Sequence, residues 1–257
     1  NTGKIPIDFT VHATPFQVNS EDYSPDYELV NRYTALASWV QFAETDYHAE
    51  PGETVEVKFH IDVPEDAVGG GQYAAIMAYT EDSADPDATV KTASQIAAIL
   101  YGRVGGADIK AEGEIVEQTI PGFLFDGPLE ITETAYNTGN VDFTVYHAVT
   151  ITDFFSGEEV MNADTTNSEG AIIGSNNSIV LPGTSRTDKI IWETTPKIGI
   201  YRVHQKILIL EEEINTEQIV IFCPPWLILA LAGLLFLLIL WIILAVRHHR
   251  RKAPQVF

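Results

Sequence analysis

Between Trp226 and Val246 the chain reads WLILALAGLLFLLILWIILAV, 21 residues without a charged side chain. At 1.5 Å of rise per residue such a helix spans about 31 Å, the hydrocarbon thickness of a bilayer. A core helix of a soluble protein would carry a polar stripe over this length, and this one has none. The segment therefore reads as one transmembrane helix, residues 224–246. Trp226 opens the run and Trp241 lies near its far end, where indole rings favour the headgroup zone. Arg247, Arg250, Arg251 and Lys252 follow within RHHRRK. A basic cluster behind an apolar run stops transfer, and the positive-inside rule places it in the cytoplasm. These four cations and two tryptophans are the candidate membrane-anchoring residues, and the bilayer is the first expected partner. The tail, residues 247–257, is too short for a catalytic or signalling domain.

Charge is divided along the same line. All 36 acidic residues lie at or before Glu217, where only 11 of the 15 basic residues accompany them. A duplex binder needs clustered Lys and Arg to displace phosphate counterions, so nucleic acid is not an expected partner. The single cysteine, Cys223, excludes a disulfide framework within the chain. A basic cluster after the apolar run argues against a glycolipid anchor, so the helix should be retained. Because the first residue is Asn1, a preceding signal peptide is expected to have been removed.

The acidic region is patterned as strands. In TVEVKFHIDVP, Thr54 to Pro64, residues Val55, Val57, Phe59, Ile61 and Val63 alternate with Glu56, Lys58, His60 and Asp62, the period-two signature of a strand with one buried face. Further strands are expected at Ile5–His12, Ala37–Phe42, Gln72–Thr80, Ser94–Tyr101, Ile109–Thr119, Leu129–Tyr136, Phe143–Thr152, Ser178–Leu181, Asp188–Glu193 and Tyr201–Ile209. Short strands separated by Gly, Pro, Asn and Asp read as β-sandwiches. Two hairpins also echo each other. Pro51-Gly52 followed by Gly71-Gln72-Tyr73 parallels Pro182-Gly183 followed by Gly199-Ile200-Tyr201. The resulting expectation is an all-β chain of two tandem Ig-like β-sandwich domains, 1–108 and 109–221, then the helix and the basic tail. Tyr101–Asp108, YGRVGGAD, is the expected hinge.

This organisation resembles the bacterial WxL-interacting surface proteins. The likeness rests on EPGETVEVKFHIDVPEDAVGGGQYAAI, on AYNTGNVDFTV and LPGTSRTDKIIWETTPKIGIYRV, and on the closing FCPPWLILALAGLL…RHHRRK. It covers most of residues 37–252 and departs over the first 30. It implies a wall-facing protein whose first domain is associated with peptidoglycan and whose second contacts host or partner proteins. No functional residue carries over by motif.

Catalytic signatures are missing from the sequence: there is no HExxH, no GxSxG and no GxxxxGK[ST]. Gly69-Gly70-Gly71 lacks the strand-to-helix context of a nucleotide loop. Cys223 abuts Pro224 at the membrane entry, with His204 the nearest histidine in sequence, and reads as an interfacial apolar side chain. His60 sits on the polar face of its strand. Glu81-Asp82-Ser83-Ala84-Asp85-Pro86-Asp87 is an acidic loop in which Asp82, Asp85 and Asp87 are candidate Ca²⁺ ligands; without an EF-hand register it reads first as a solvated loop. No other cofactor is expected. LPGTS at Leu181–Ser185 lies inside a hairpin and is not a sorting signal. Asn176-Asn177-Ser178 is a glycosylation sequon. Tyr23, Tyr27, Tyr33, Trp39, Tyr47 and Tyr73 crowd the first domain, as aromatic binding faces do. The sequence thus points to a non-enzymatic, membrane-anchored binding or adhesion protein of the cell envelope, with cell-wall components or other surface proteins as partners. The competing reading is an accessory subunit assembled through the helix, where Ala230, Ala232 and Gly233 form a small-residue face. Oligomeric state is left open.

Overall fold

The computed structural model describes residues 1–19, 22–80, 94–106, 108–163 and 177–252, with the side chains of the last helix described through Arg247. Its body is all-β. The first unit comprises β1 (Ile7–Pro15), β2 (Gln17–Val18), β3 (Pro25–Asp26), a single helical turn α1 (Leu36–Trp39), β4 (Val40–Phe42), β5 (Asp46–Ala49), β6 (Phe59–Ile61), β7 (Gly70–Thr80) and β8 (Gln95–Val104). Its sheet runs β5-β1-β7-β8, all antiparallel. Leu36 and Trp39 of α1 pack on Ala74 and Leu100 from one face. On the other face Phe16, Val18, Tyr73, Ala75 and Met77 form a second cluster.

The second unit comprises β9 (Gly113–Thr119), β10 (Phe123–Leu124), β11 (Leu129–Asn137), β12 (Phe143–Asp153), β13 (Glu159–Asn162), β14 (Asn177–Val180), β15 (Ser185–Trp192), β16 (Gly199–Ile209) and β17 (Glu212–Phe222). A β15-β11-β9 sheet faces a β10-β17-β16-β12-β13 sheet, with β14 also paired to β12. Strict alternation fills the sandwich: β11 buries Leu129, Ile131, Glu133, Ala135 and Asn137 and turns the residues between them outward. Two apolar clusters result. Leu129, Ile131, Val149, Ile151, Trp192, Val203 and Phe222 belong to one; Ala135, Phe143, Val145, Val180, Ile207 and Ile209 belong to the other. Between them the inward runs carry a polar residue: Glu133 on β11, His147 on β12, Gln205 on β16, with Gln118, Asp188 and Thr216 at matching positions on β9, β15 and β17. A polar belt therefore crosses the second core.

The two units are docked. Leu181 of the second sandwich belongs to the aromatic cluster of the first. Tyr23 donates its hydroxyl to the Ile179 carbonyl, and the Arg186 guanidinium lies 4.6 Å over its ring. Tyr73, fully buried, donates to Asp142 at 2.9 Å and accepts from the Asp142 main-chain N–H at 3.0 Å. Asn140 holds the connection, its side chain accepting from Lys110 N–H and donating to Asp108 C=O. The expected hinge is shorter than its sequence suggests, because β8 continues through Val104 and Arg103 reaches the Asp142 carbonyl at 3.3 Å.

Three expectations are corrected. Thr54–Pro64 forms a strand only at Phe59–Ile61, and its apolar face is not core: Phe59, Ile61 and Val63 are 38%, 42% and 52% exposed. Val55 and Val57 are half-buried and Phe59 packs on Phe42 at 5.9 Å, so the face is covered in part rather than built into a core. Ala37–Trp39 is helical turn, and only Val40–Phe42 of that expected strand is extended. An 11-residue strand, β17, also lies where no strand was expected, paired along its whole length to β16 through the two-residue Leu210–Glu211 turn. The paired hairpins do share a device. A Cβ on Gly71 would meet the Tyr73 ring and one on Gly199 the Tyr201 ring, so each glycine makes room for the tyrosine two residues on.

Pro225–Lys252 forms one helix, α2. Among the described residues it is the one helix long and apolar enough to cross a membrane: Pro225–Arg247 contains an 18-residue window of mean hydropathy 3.2, with no burial against the body.

Candidate functional site

Exposed apolar side chains outside α2 are spread over both units, and two of them, Ile96 and Tyr101, lie on the last strand of the first sheet. β8 is an edge: it pairs with β7 from Tyr79↔Gln95 to Gly70↔Val104, and its other side has no strand among the described residues. Edge strands are usually blunted by Lys, Pro or a bulge. β8 has ten residues, QIAAILYGRV, an unbroken register and no charge before Arg103. Ile96 is 73% exposed, and Tyr101 is exposed as well. The adjoining sheet face carries an open cleft of about 400 Å³ lined by Ile7, Phe9, Ala49, Val55, Ala78 and Ile96. Main-chain groups along an unpaired edge, beside an apolar cleft that receives every second side chain, can take up an extended peptide as an added strand.

A second concavity on β1 and β5 is more polar. Phe9 stacks on Tyr47 with centroids 5.4 Å apart, and His48 Nδ1 lies 2.7 Å from Asp8. The Asp8 and Glu50 carboxylates raise the His48 pKa above its ordinary value. No group of three or more His, Cys, Asp or Glu side chains is placed to hold a metal among the described residues.

The residues singled out in the sequence are dispersed. Asp82, Asp85 and Asp87 lie outside the described residues, as do Glu81 and Asn176. Trp226 and Trp241 are exposed on α2, one at its first turn and one near its middle, and Arg247 follows the apolar run. Arg250, Arg251 and Lys252 fall within α2, and their side chains are not described. Cys223 is half-buried and unpaired, its N–H donating to the Leu124 carbonyl. His60 is exposed, 3.3 Å from Asp62. The aromatic residues of the first domain do not form one binding face: Tyr23, Tyr27, Tyr33 and Tyr73 fill the cluster at the junction, Trp39 packs from α1 into the cluster with Leu36 and Ala74, and Tyr47 stands apart on β5. The sequence marks the strand at Ser94–Tyr101 but not its place at the edge of the sheet.

No family model matches the chain, and no curated protein matches it. Among solved structures, a chain from "Chaperone-tip adhesin complex is vital for synergistic activation of CFA/I fimbriae biogenesis" aligns over 87% of this chain and 89% of its own, at 12% identity and a TM-score of 0.36. The CupB2 chaperone of Pseudomonas aeruginosa aligns over 86% and 89%, at 10% identity and a TM-score of 0.34.

Proposed function

We propose that this chain is a membrane-anchored binding protein of the bacterial cell envelope, without enzymatic activity, whose first sandwich takes up an extended segment of a partner protein along β8. The observation that carries the reading is the unguarded edge Gln95–Val104 beside its apolar cleft. Helix α2 tethers the chain, with the basic cluster on the cytoplasmic side and the acidic sandwiches outside. The resemblance to WxL-interacting surface proteins agrees with this placement. The excess of carboxylates keeps the outer region soluble and disfavours acidic wall polymers as direct ligands. Partners are therefore proteins that offer an apolar strand.

The test is capture from solubilised envelope by the full chain in detergent, comparing Ile96→Lys on β8 with Val116→Lys on the exposed face of β9. A defined partner lost on Ile96→Lys and kept on Val116→Lys supports the reading. Capture indifferent to Ile96→Lys but abolished by substitutions in α2 would replace it with assembly through the helix.

A further inference from the structure

The polar belt of the second sandwich contains a directed chain of hydrogen bonds that joins the two sheets. Thr216 Oγ1 on β17 donates to Gln118 Oε1 on β9 at 3.2 Å. Gln118 Nε2 donates to Gln205 Oε1 on β16 at 2.9 Å. Gln205 Nε2 meets His147 Nε2 on β12 at 2.8 Å, and His147 Nδ1 has no partner. Gln118 also stands directly opposite Glu133 in the β9–β11 register, one residue before the β-bulge at Thr134/Ala135. Glu133 is fully buried, and neither of its carboxyl oxygens has a hydrogen-bond partner. A hydroxyl, a carboxamide, a buried acid and a buried imidazole are thus gathered where only packing would be expected.

We propose that Thr216 and Gln118 form an intramolecular ester that covalently ties β17 to β9. With Oγ1 3.2 Å from Oε1, the Gln118 carbonyl carbon lies at most about 4.4 Å from the nucleophile, so a side-chain shift of up to about 1 Å brings the pair to an attack distance. Oγ1 adds to Cδ and its proton passes to Oε1. The Cδ–Nε2 bond then breaks as the Glu133 carboxylic acid, swung towards Gln118 from its place opposite it in the register, protonates Nε2, and ammonia leaves. The Glu133 carboxylate recovers a proton from the Oε1 hydroxyl as the carbonyl re-forms. One ester and one ammonia result, and no oxidant or cofactor is needed. Burial, with the Asp188 carboxylate as a second cause, raises the Glu133 pKa to about 8, so its acid form is present at neutral pH; Arg186 opposes this. Burial also lowers the His147 pKa to about 4, which keeps the imidazole neutral as the last acceptor of the chain. His147 and Gln205 are positioning residues: they hold the Gln118 amide in place. Both Gln118 and Thr216 are half-buried, which leaves ammonia a way out.

The location gives the bond a purpose. β9 is the strand by which the chain enters the second sandwich, and β17 leads through Cys223 and Pro224 into α2. A link between them would carry tension from the first sandwich to the anchor without unzipping the strands between.

The experiment is intact mass measurement of the full chain purified in detergent, followed by proteolysis and peptide sequencing. The expected result is a mass below that of the sequence by one ammonia, with a peptide from β9 joined to one from β17 through Gln118 and Thr216. Thr216→Ala and Gln118→Ala should each restore the full mass. Glu133→Gln, which keeps the shape of the side chain but cannot supply the proton, should slow formation of the link about a hundredfold, while Thr216→Ser, which retains the hydroxyl, should still form it. Wild-type chain at full sequence mass, with the two peptides recovered separately, overturns the proposal.

Discussion

Glu133 and His147 make the stability of the second sandwich depend on pH in a way that can be worked out beforehand. Glu133 titrates near 8 in the folded chain against 4.5 as a free side chain, so between those values the folded state holds a proton that the unfolded state has released. Stability is therefore undiminished below pH 4.5 and falls by about 1.4 kcal/mol per pH unit up to pH 8. His147 acts in the opposite sense. Its folded value is near 4 against 6.5 when free, so its contribution is complete above pH 6.5 and is lost as pH falls towards 4. The two slopes cancel between pH 4.5 and 6.5, and their sum falls by about 2 kcal/mol from pH 6.5 to 8. Glu133→Gln removes the carboxyl contribution alone. The difference in unfolding free energy between wild type and Glu133→Gln should change by about 4–5 kcal/mol across pH 4.5–8. Denaturant unfolding of both full chains in detergent, followed by the β-sheet circular dichroism signal, measures it. The slope is the quantity that matters, since an offset common to all pH values reports lost packing or a lost cross-link. A difference that stays constant within about 1 kcal/mol over this range would refute the buried-acid assignment, for Arg186 would then offset burial and the Asp188 carboxylate in full.

Other consequences concern packing and the docked units. Ile151→Ala, at a fully buried position, should cost about 2–5 kcal/mol, while Ile96→Ala on the exposed edge should stay within about 0.5 kcal/mol, both read by denaturant unfolding. Gly71→Ala puts a methyl group 2.1 Å from Tyr73 Oη and should cost about 1–3 kcal/mol. It should also loosen the Tyr73–Asp142 junction, visible as faster amide exchange at Asp142. Tyr73→Phe removes the acceptor of that N–H and should destabilise by about 1–3 kcal/mol while leaving the second core intact.

How far the sequence could be read depends on what each signal encodes. The helix was legible because a long uncharged run has no other stable environment. β11, β12 and β16 were legible because alternation survives one polar interruption. β17 was not: it opens with Glu212-Glu213, and its inward positions Ile214, Thr216, Val220 and Phe222 include a break at the belt, so the period looks like noise. Thr54–Pro64 shows the converse. Periodicity says which face of a strand is apolar, but only the fold says how much packs against it, and here Phe59, Ile61 and Val63 stay 38%, 42% and 52% exposed. The polar belt was invisible for a related reason, because single interruptions in six strands become a layer only once the register aligns them. The β8 edge is a property of topology, and no local pattern announces which strand ends a sheet.

The proposed role is tested most directly by placing a photo-crosslinking phenylalanine at position 96 of β8, and separately at position 237 of α2, and irradiating intact cells. The account predicts one discrete protein adduct from position 96 that is lost when Ala98→Pro disturbs the same edge. Adducts from position 237 with none from position 96 would contradict it and identify the helix as the surface through which this protein meets its partners.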